Sequence, residues 1–509
     1  MSSVFSSKRQ TSHEEEQMDR ISTLPESVIS HILSFLPTKD AVKTILVPGF
    51  GNLWTCAHNL SFDHCSYHVC GEVDYDNGPE YNERFLNLIR HVLLLHQTST
   101  IQKFHLKFEF SLFWSLDEEG DDDFLYASKE KRMADEITTW IYFVMRRKVK
   151  FLDLDLLGCG INEAGCSYNL PNVVLNNDYL IKLNLAGFAI RSHGQINLKS
   201  LGTILLKRVF LNDKIMGEIL NGCPLLEELS LEKCYGLGKL NITNPNTKNL
   251  IVIHGFRESW LEISCPNIKS LKIAGSIDYV YLKNASSVID TSVYFSHSFK
   301  CACKDCREVR LLFKKLSRSR IFTPCTWCIL VLTIWKFTNF PCPFFYWRSL
   351  VLNVSLTKWH LPGISSLLRN SPYLETLTMY ICPGCYDIFK GDDQLWIQAY
   401  DFDDVNYWNS QEANFTCLTH HLKTIMIYGY ITEPYVIELV EFLLKRATVL
   451  EKMVFSTSKT LQPEHPYYFF AAAVDRQKHH FTSEKLLAIS QRLLSIPRAS
   501  TRAVIHFSC

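Results

Sequence analysis

The sequence predicts an α/β chain in which a small N-terminal helical module is followed by a long solenoid, built as a curved sheet with short helices, and by a C-terminal cap. Two patterns support this prediction. Apolar residues recur at helical spacing near the N-terminus, and a spacing typical of stacked short strands recurs from residue 149 onward. With 509 residues, 47% of them hydrophobic, the chain is long enough to bury such an array.

The helical module begins near Leu24 with the segment LPESVISHILSFLP. Its apolar residues share one helical face and are Val28, Ile29, Ile32, Leu33 and Leu36. Pro25 suits the first helical turn, and Glu26 suits the positive end of the helix dipole. Pro37 ends this helix. A second apolar face follows at Ala41, Val42, Ile45 and Leu46.

The spacing apolar-x-x-apolar-x-apolar recurs along most of the remaining chain. Its first positions are Val149, Leu180, Leu201, Leu226, Ile268, Trp347, Leu374, Leu422 and Leu450. The first four are 31, 21 and 25 residues apart, and the next interval is 42 residues, which we interpret as two units of 21. This period is typical of leucine-rich repeats, in which each short strand points alternate side chains inward and is buried by its neighbours. Between residues 288 and 335 the pattern is weak.

Several segments between and after the repeats have a distinct pattern. Residues 213–224 and 363–372 are typical of the short helices that cover the outer side of a solenoid. Residues 394–408, rich in Asp and aromatic residues, interrupt the repeats and predict an exposed loop or edge. Residues 483–508 predict an amphipathic helix ending at Pro497 and then a closing strand, a polar-edged cap for the open end of the array.

Charge and hydropathy argue against nucleic-acid and membrane partners. The formal net charge is +1, so the chain has no overall attraction for polyanions. The acidic run Leu116–Asp123 is best explained as a solvated loop. The most apolar stretch, Cys325–Trp335, is about half as long as a membrane span and is followed by Lys336.

The eighteen cysteines, together with the lack of a basic-then-apolar leader, predict reduced thiols in the cytoplasm or nucleus. One group has the spacing of a tetrahedral zinc site and consists of Cys301, Cys303, Cys306, Cys325 and Cys328. The alternative, which we favour, is that PCTWCILVLTIW is a buried repeat strand, in which the last two cysteines would point in opposite directions.

A second group of metal-ligating residue types follows the helical module and consists of His58, His64, Cys65, His68 and Cys70. Its spacing fits no regular zinc finger. The sequence contains no glycine-rich phosphate loop, nucleophile elbow, paired-histidine zinc motif or calcium loop. We therefore predict no catalytic residues, no cofactor and no metal.

From Asp19 to Asp63 the chain resembles an F-box, and LPESVISHILSFLPTKDAV is similar to the family pattern through two helices. The C-terminal segments HLKTIMIYGY, ELVEFLLKRATVLEKMVF and KLLAISQRLLSIPRAS resemble the FBD region. With the repeats between them, the chain resembles the plant-type F-box/FBD/leucine-rich-repeat family from residue 19 to residue 509. Only two segments, SHSFKCACKDC and residues 394–408, do not resemble the family pattern.

The resemblance implies a substrate-recognition subunit of an SCF-type ubiquitin ligase, which is not itself an enzyme. Its F-box would bind a Skp-type adaptor, which links it to a cullin and a RING protein, and its repeats would bind a protein substrate. Carried over from the family pattern, the adaptor-binding residues are Leu24, Pro25, Ile29, Ile32, Leu33, Leu36, Pro37, Ala41, Val42, Phe50, Leu53 and Trp54. Under helical periodicity, core packing and adaptor contact are equally good explanations for each apolar residue in this set.

The family pattern is interrupted at residues 46–55. Members typically have L-S-K-R-W-R-N-L-W-T, whereas this chain has L-V-P-G-F-G-N-L-W-T. Phe50 occupies the usual Trp position, and the serine cap and the cations are absent.

Pro48 nevertheless suits the first turn of a third helix, in which Phe50 and Trp54 would lie on one face. Gly49 and Gly51 would each weaken that helix by about 1 kcal/mol relative to Ala. We therefore expect a shortened third helix and weaker adaptor binding than an intact F-box would give.

The sequence thus predicts four regions: a disordered tail at 1–18, an F-box with a degenerate third helix at 19–63, a leucine-rich-repeat solenoid at 64–410, and an FBD-like cap at 411–509. The first functional hypothesis is a ligase substrate receptor. The second is a repeat scaffold with a decayed F-box that binds its partner without a ligase. A third is a zinc-containing enzyme or redox protein built around residues 301–328.

Overall fold

The computed structural model describes fifteen stretches of the chain. They are residues 21, 24–64, 78–108, 123–157, 168–191, 194–254, 260–275, 279–284, 286–295, 302–354, 356–381, 402, 407–411, 414–456 and 483–508. The chain divides into two compact units, Met1–Ile161 and Asn162–Cys509. The predicted tail at 1–18, nearly all of the acidic run and most of residues 394–408 lie outside the described residues, so the predictions for them remain predictions.

The first unit starts with the helical module. Its elements are α1 (Glu26–Leu33), α2 (Thr38–Lys43) and two 3-10 helices at Thr44–Leu46 and Leu53–Cys56. Pro25 and Pro37 stand directly before α1 and α2 in an extended conformation, which fits a residue that cannot donate a backbone hydrogen bond. The two helices predicted by apolar periodicity are therefore present.

The predicted third helix, beginning at Pro48, does not form. Gly49 and Gly51 have φ values of 86° and 44°, in the left-handed region that a right-handed helix cannot include. The chain turns through these residues, and only the 3-10 helix at Leu53–Cys56 follows. The helical prediction was wrong here because glycine at two alternate positions favours a turn over a continuous helix.

A parallel sheet completes the first unit. Its elements are β1 (Asn59–Asp63), α3 (Gly78–Leu95), β2 (Lys103–Lys107), α4 (Asp123–Arg146) and β3 (Phe151–Asp155). The strands pair in the order β1-β2-β3, with Leu60, Phe104 and Leu152 in register. All three side chains are buried, because alternate residues of each strand face the helices. Strand β1 lies within the residues predicted as the F-box.

The second unit carries the remaining strands. They are β4 (Lys182–Ala186), β5 (Thr203–Lys207), β6 (Glu228–Glu232), β7 (Lys239–Ile242), β8 (Asn249–His254), β9 (Trp260–Ile263), β10 (Ser270–Gly275), β11 (Tyr279–Leu282), β12 (Asp290–Phe295), β13 (Ile321–Pro324), β14 (Ser349–Val354), β15 (Thr376–Ile381), β16 (Thr424–Gly429), β17 (Lys452–Ser456) and β18 (Val504–Ser508).

Helices separate many of these strands. They are α5 (Asn172–Leu175), α6 (Asp213–Gly222), α7 (Ala302–Leu316), α8 (Thr326–Phe337), α9 (Leu361–Asn370), α10 (Thr416–His420), α11 (Pro434–Arg446) and α12 (Ser483–Ser495), with a 3-10 helix at Lys358–His360. The helices α6 and α9 confirm the two inter-repeat helices predicted from sequence.

The strands of the second unit form one long parallel sheet and one short one. The long sheet has the order β4-β5-β6-β8-β10-β12-β13-β14-β15-β16-β17-β18, and the short sheet has the order β11-β9-β7. The short strands alternate along the chain with β6, β8, β10 and β12, so that each lies where a helix lies in other repeats. The solenoid of parallel strands and short helices is confirmed, whereas the short second sheet was not predicted.

Strand β8 confirms that the 42-residue interval contains two units. The spacing rule missed it because its first position is Thr247, which is fully buried and donates from Oγ1 to the Leu226 carbonyl at 3.4 Å. Strands β12 and β13 fall in the region of weak pattern for a similar reason. Thr291 and Ser319, 0% and 2% exposed, occupy apolar positions of those repeats. The Ser319 hydroxyl donates to the Leu316 carbonyl at 2.9 Å, whereas the buried Thr291 hydroxyl has no hydrogen-bond partner among the described residues.

The predicted strand PCTWCILVLTIW is instead mostly the helix α8. Every side chain of α8 from Trp327 to Trp335 is buried. A helix enclosed on all sides needs no polar face, so its sequence has neither a strand period nor a helix period. No helix among the described residues is long and apolar enough to cross a membrane.

The C-terminal prediction of a helix followed by a strand is confirmed. Helix α12 ends at Ser495, and β18 pairs with β17 in parallel, with Met453 opposite Ile505 and Phe455 opposite Phe507. The Phe455 and Phe507 rings stack with centroids 5.2 Å apart. Most residues of β18 are exposed, as expected for a strand at the end of an array.

Candidate functional site

Hydrogen bonds fix the N-terminal helices to the start of the first sheet. The buried hydroxyl of Ser34 accepts from the His58 N–H at 2.9 Å, and the Ser34 carbonyl accepts from Asn59 Nδ2 at 3.0 Å. The buried hydroxyl of Thr38 accepts from the Ser61 N–H at 2.7 Å. Because these bonds join the ends of α1 and α2 to β1, the opposite faces of the two helices remain open to solvent.

The structure divides the predicted adaptor-binding residues by burial. Four lie in the core of the module: Ile29, Leu33, Ala41 and Trp54. Four are exposed: Pro25, Ile32, Leu36 and Pro37. Four are half-buried: Leu24, Val42, Phe50 and Leu53. The core residues stabilise the module, so that only the other eight present atoms to a partner.

Further apolar residues beside the exposed ones were missed by the family pattern. They are Val28, Phe35, Ile45, Leu46 and Val47. Phe35 is 73% exposed and Leu46 is 84% exposed. We define the N-terminal apolar surface as Val28, Ile32, Phe35, Leu36, Ile45, Leu46 and Val47. Apolar periodicity placed Val28, Ile32, Leu36, Ile45 and Leu46 on helical apolar faces together with buried residues, and it gave no signal that these five side chains are exposed. Large exposed apolar residues grouped on a small module are typical of a protein-binding surface.

The long sheet of the second unit has a second candidate surface on the side opposite its apolar layer. In β14, β15 and β16 the aligned residues on this open face are Asn353, Tyr380 and Tyr428. Tyr380 and Tyr428 stack with ring centroids 5.1 Å apart. Two strands away, the Tyr294 hydroxyl accepts from Asn353 Nδ2 at 2.9 Å. Burial raises the pKa of Tyr294 and of Tyr380, so both phenols stay protonated at neutral pH.

This row of aromatic and amide side chains is suited to recognition. Phenol and amide groups donate and accept hydrogen bonds, and the rings offer rigid apolar area at low entropic cost. Protonated tyrosines with raised pKa values are poor bases and poor nucleophiles at neutral pH. The arrangement therefore favours binding of a partner over chemistry upon it.

The helices of the first unit form a polar groove. Arg90 of α3 makes a bidentate ion pair with Glu136 of α4, with Nε–Oε2 and Nη2–Oε1 distances of 3.0 and 2.6 Å, and a further bond to Glu83. These carboxylates raise the pKa of Arg90. The groove, of about 470 Å³, is also lined by Lys131 and Trp140. Since Arg90 is committed to its two carboxylates, the groove holds α3 against α4.

The described residues contain no group of three or more His, Cys, Asp or Glu side chains arranged to hold a metal ion. For the first predicted cysteine group, Cys301 lies outside the described residues, and the side chains of Cys303 and Cys306 are not described. Cys325 and Cys328 do lie together, with sulfur atoms 3.6 Å apart. The zinc hypothesis for the whole group remains untested.

In the second predicted metal group, the two described histidines have other surroundings. His58 Nδ1 lies 3.4 Å from the Thr100 carbonyl, and the His64 ring packs against Phe85 with centroids 5.0 Å apart. Cys65, His68 and Cys70 lie outside the described residues. The contacts of the two histidines are those of side chains packed in a fold.

Comparison with known proteins shows the family to which the chain belongs. A family model described as "At1g61320/AtMIF1, LRR domain" matches residues 123–496. The F-box/FBD/LRR-repeat protein At2g04230 of Arabidopsis thaliana is 25% identical over 454 residues, which cover 87% of this chain and 89% of that protein. The chain belongs to the plant F-box/leucine-rich-repeat family.

Other members of the F-box/leucine-rich-repeat family are similarly related. The F-box/LRR-repeat protein At3g59200 of Arabidopsis thaliana is 28% identical over 401 residues, 71% of this chain and 69% of that protein. Another relative from the same plant with an F-box/LRR-repeat name is 27% identical over 497 residues, 92% of this chain and 91% of its own. The helices α1 and α2 fit the F-box of this family. The long sheet corresponds to the leucine-rich-repeat region of the family.

Proposed function

We propose that this F-box/leucine-rich-repeat protein is a substrate-recognition subunit of an SCF-type ubiquitin ligase. The N-terminal apolar surface binds a Skp-type adaptor and, through it, a cullin and a RING protein. The open face of the long sheet binds a protein substrate. The observation that carries the proposal is the exposure of seven large apolar side chains on a module whose own core is already filled by Ile29, Leu33, Ala41 and Trp54.

In this role the protein contributes no catalytic group. It holds a substrate lysine near the conjugating enzyme, so that a rare bimolecular encounter becomes an intramolecular one. The two candidate surfaces serve the two halves of this task. The role belongs to the cytoplasm or the nucleus.

The full chain is expected to co-purify with a plant Skp-type adaptor. The double variant Ile32→Asp/Leu36→Asp is expected to bind this adaptor with a dissociation constant at least about 30-fold higher. Both side chains are well exposed in the free protein, 41% and 38%, so the variant folds. In the complex each new carboxylate would be buried without a partner, which is costly. Biolayer interferometry with purified adaptor measures the affinity.

The matched control is Leu94→Asp/Leu95→Asp at the end of α3, where two leucines are 80% and 51% exposed outside the N-terminal apolar surface. This variant should bind the adaptor as the wild type does. If the wild-type chain shows no adaptor binding, the ligase role is excluded, and the chain is a repeat scaffold with a decayed F-box. Equal loss in both variants would exclude the N-terminal apolar surface as the docking site.

Restoring the family pattern at the break is expected to strengthen adaptor binding. Replacing Val47–Gly51 by Ser-Lys-Arg-Trp-Arg removes the left-handed Gly49 and Gly51 and supplies the helix cap and the cations of the family pattern. A helix ordered before binding no longer loses entropy on binding, so the dissociation constant should fall by about tenfold. The same interferometry assay measures it. An unchanged dissociation constant would show that the turn at residues 48–52 does not limit docking.

A further inference from the structure

The junction between β13 and α8 carries a C-x-x-C pair. Cys325 is the N-cap residue of α8, and Cys328 is the third residue of the helix. Their sulfur atoms lie 3.6 Å apart, within the distance of a thiol hydrogen bond. Neither cysteine takes part in the proposed adaptor surface.

The geometry suits a disulfide. An S–S bond is about 2.05 Å long, so the two sulfur atoms need to approach by about 1.5 Å. Both side chains lie on the first turn of one helix, so rotation about their own bonds can supply this approach. A neighbouring strand fixes the backbone at Cys325, because the Cys325 N–H donates to the Val293 carbonyl of β12 at 2.8 Å.

The two thiols are chemically unequal. Burial alone would raise the pKa of Cys325, but its interactions with the Cys328 side chain and with nearby backbone groups, including those of the first turn of α8, bring the pKa below its ordinary value. Burial and the bond to Cys325 place the pKa of Cys328 well above its ordinary value. Cys325 is half-buried, whereas Cys328 is fully buried. Cys325 therefore has the features of an attacking thiolate, and Cys328 those of a resolving thiol.

Three buried cysteines of the same unit show the contrast. Burial raises the pKa values of Cys223, Cys234 and Cys417 to about 12. The thiols of Cys234 and Cys417 donate to backbone carbonyls, of Leu206 at 3.5 Å and Leu368 at 3.1 Å. These thiols are protonated and enclosed, so that they serve as internal controls.

We propose that Cys325 and Cys328 form a redox-active dithiol that hydroperoxides oxidise to an intramolecular disulfide and that dithiol reductants restore. The site lies beside the open face of the long sheet, since Cys325 follows the registered pair Val293 and Pro324 and therefore comes opposite Tyr294. It is independent of the ligase role, because its formation requires neither adaptor nor substrate.

The reaction balances with the peroxide as the only oxidant. The Cys325 thiolate attacks one oxygen of hydrogen peroxide, the O–O bond breaks, and hydroxide leaves, which gives a sulfenic acid at Cys325. The Cys328 sulfur then attacks the Cys325 sulfur, the S–S bond forms, and the S–O bond breaks with release of water. Two thiols and one hydrogen peroxide thus give one disulfide and two waters, and the sulfur atoms lose two electrons.

The test uses the purified full-length chain, reduced and then treated with hydrogen peroxide. After the remaining thiols are blocked and the chain is digested, mass spectrometry is expected to find the peptide containing Cys325 and Cys328 unlabelled and lighter by two hydrogen atoms. Dithiothreitol should restore both labels. Cys223, Cys234 and Cys417 should react at least about tenfold more slowly than Cys325.

Two single variants separate the roles. In Cys328→Ser, peroxide is expected to leave Cys325 as a sulfenic acid that dimedone traps, because the resolving thiol is missing. In Cys325→Ser, Cys328 should give no dimedone adduct, because it is buried and protonated. The proposal is overturned if Cys325 and Cys328 stay reduced at peroxide doses that oxidise glutathione in the same solution. It is also overturned if dimedone labels both single variants equally.

Discussion

Gly363→Ala is expected to destabilise the second unit by about 3 kcal/mol or more. A Cβ atom at this position would lie 2.1 Å from the Ile329 carbonyl oxygen, 2.8 Å from Ile329 Cγ2 and 2.9 Å from Thr333 Oγ1. The nearest of these atoms belongs to the backbone of α8, which cannot rotate away, so α8 and α9 would have to separate. Because both helices are enclosed on most sides, such a shift disturbs close packing throughout the repeat.

The matched control for this substitution is Gly217→Ala. Gly217 lies inside α6, and a Cβ atom there would have no neighbour within 4 Å. Alanine favours the helix by about 0.5–1 kcal/mol over glycine, so this variant should be slightly more stable than the wild type. Urea denaturation followed by tryptophan fluorescence measures the free energy of unfolding of each variant. Trp327 and Trp335 lie in α8, so the fluorescence reports on this helix. Equal stability of the two variants would contradict the close approach of α8 and α9.

The second large effect concerns pH and His360. This side chain is fully buried, and its Nδ1 accepts from the Thr357 N–H at 3.1 Å. Its other ring nitrogen has no hydrogen-bond partner among the described residues. Burial lowers the pKa of His360 from 6.5 to about 4, so the unfolded chain binds this proton before the folded one does. The free energy of unfolding should therefore fall by about 3 kcal/mol from this residue alone as the pH drops from about 6.5 to about 4.

His360→Asn isolates that contribution. Asparagine also offers an oxygen that can accept from the Thr357 N–H, and it does not titrate in this range. We expect the variant to be less stable at pH 7, by about 1–2 kcal/mol for the lost packing, but to lose less stability on acidification. Urea denaturation at a series of pH values between 4 and 7 provides the comparison, and other titrating groups cancel in the difference. Parallel curves for the two proteins would contradict a buried, neutral His360.

Much of the fold could be predicted because its main signal is local. A strand that buries alternate residues needs leucine-like side chains at fixed spacing, and β4, β5 and β6 have them. The signal fails at Thr247 and Thr291, where small hydroxyl groups are buried among apolar neighbours. It fails again in α8, because complete enclosure removes the polar face that marks a helix. The short sheet formed by β7, β9 and β11 depends on contacts between successive repeats, which no single segment encodes.

The N-terminal module shows a different limit. The family pattern identified which residues are apolar, but periodicity alone could not tell the buried Leu33 from the exposed Ile32, its neighbour in sequence. That distinction depends on where Ser34 and Thr38 attach the helices to β1. Whether the exposed residues bind the adaptor remains a prediction. The spacing of Cys325 and Cys328 indicates a candidate pair of metal ligands, but a strand would point them apart, and only the first turn of α8 brings the two sulfur atoms together.

The alternation of side chains along the long sheet separates two kinds of change during evolution. Leu352, Met379 and Ile427 hold one repeat to the next, whereas Asn353, Tyr380 and Tyr428, each one residue later, point to the opposite side. Under the proposed function, an exchange in the second row alters the surface offered to a substrate and leaves the apolar layer unchanged. A lineage of such proteins can therefore acquire new ligands by point substitution at little cost in stability, and duplicated copies can diverge in recognition while they retain one scaffold.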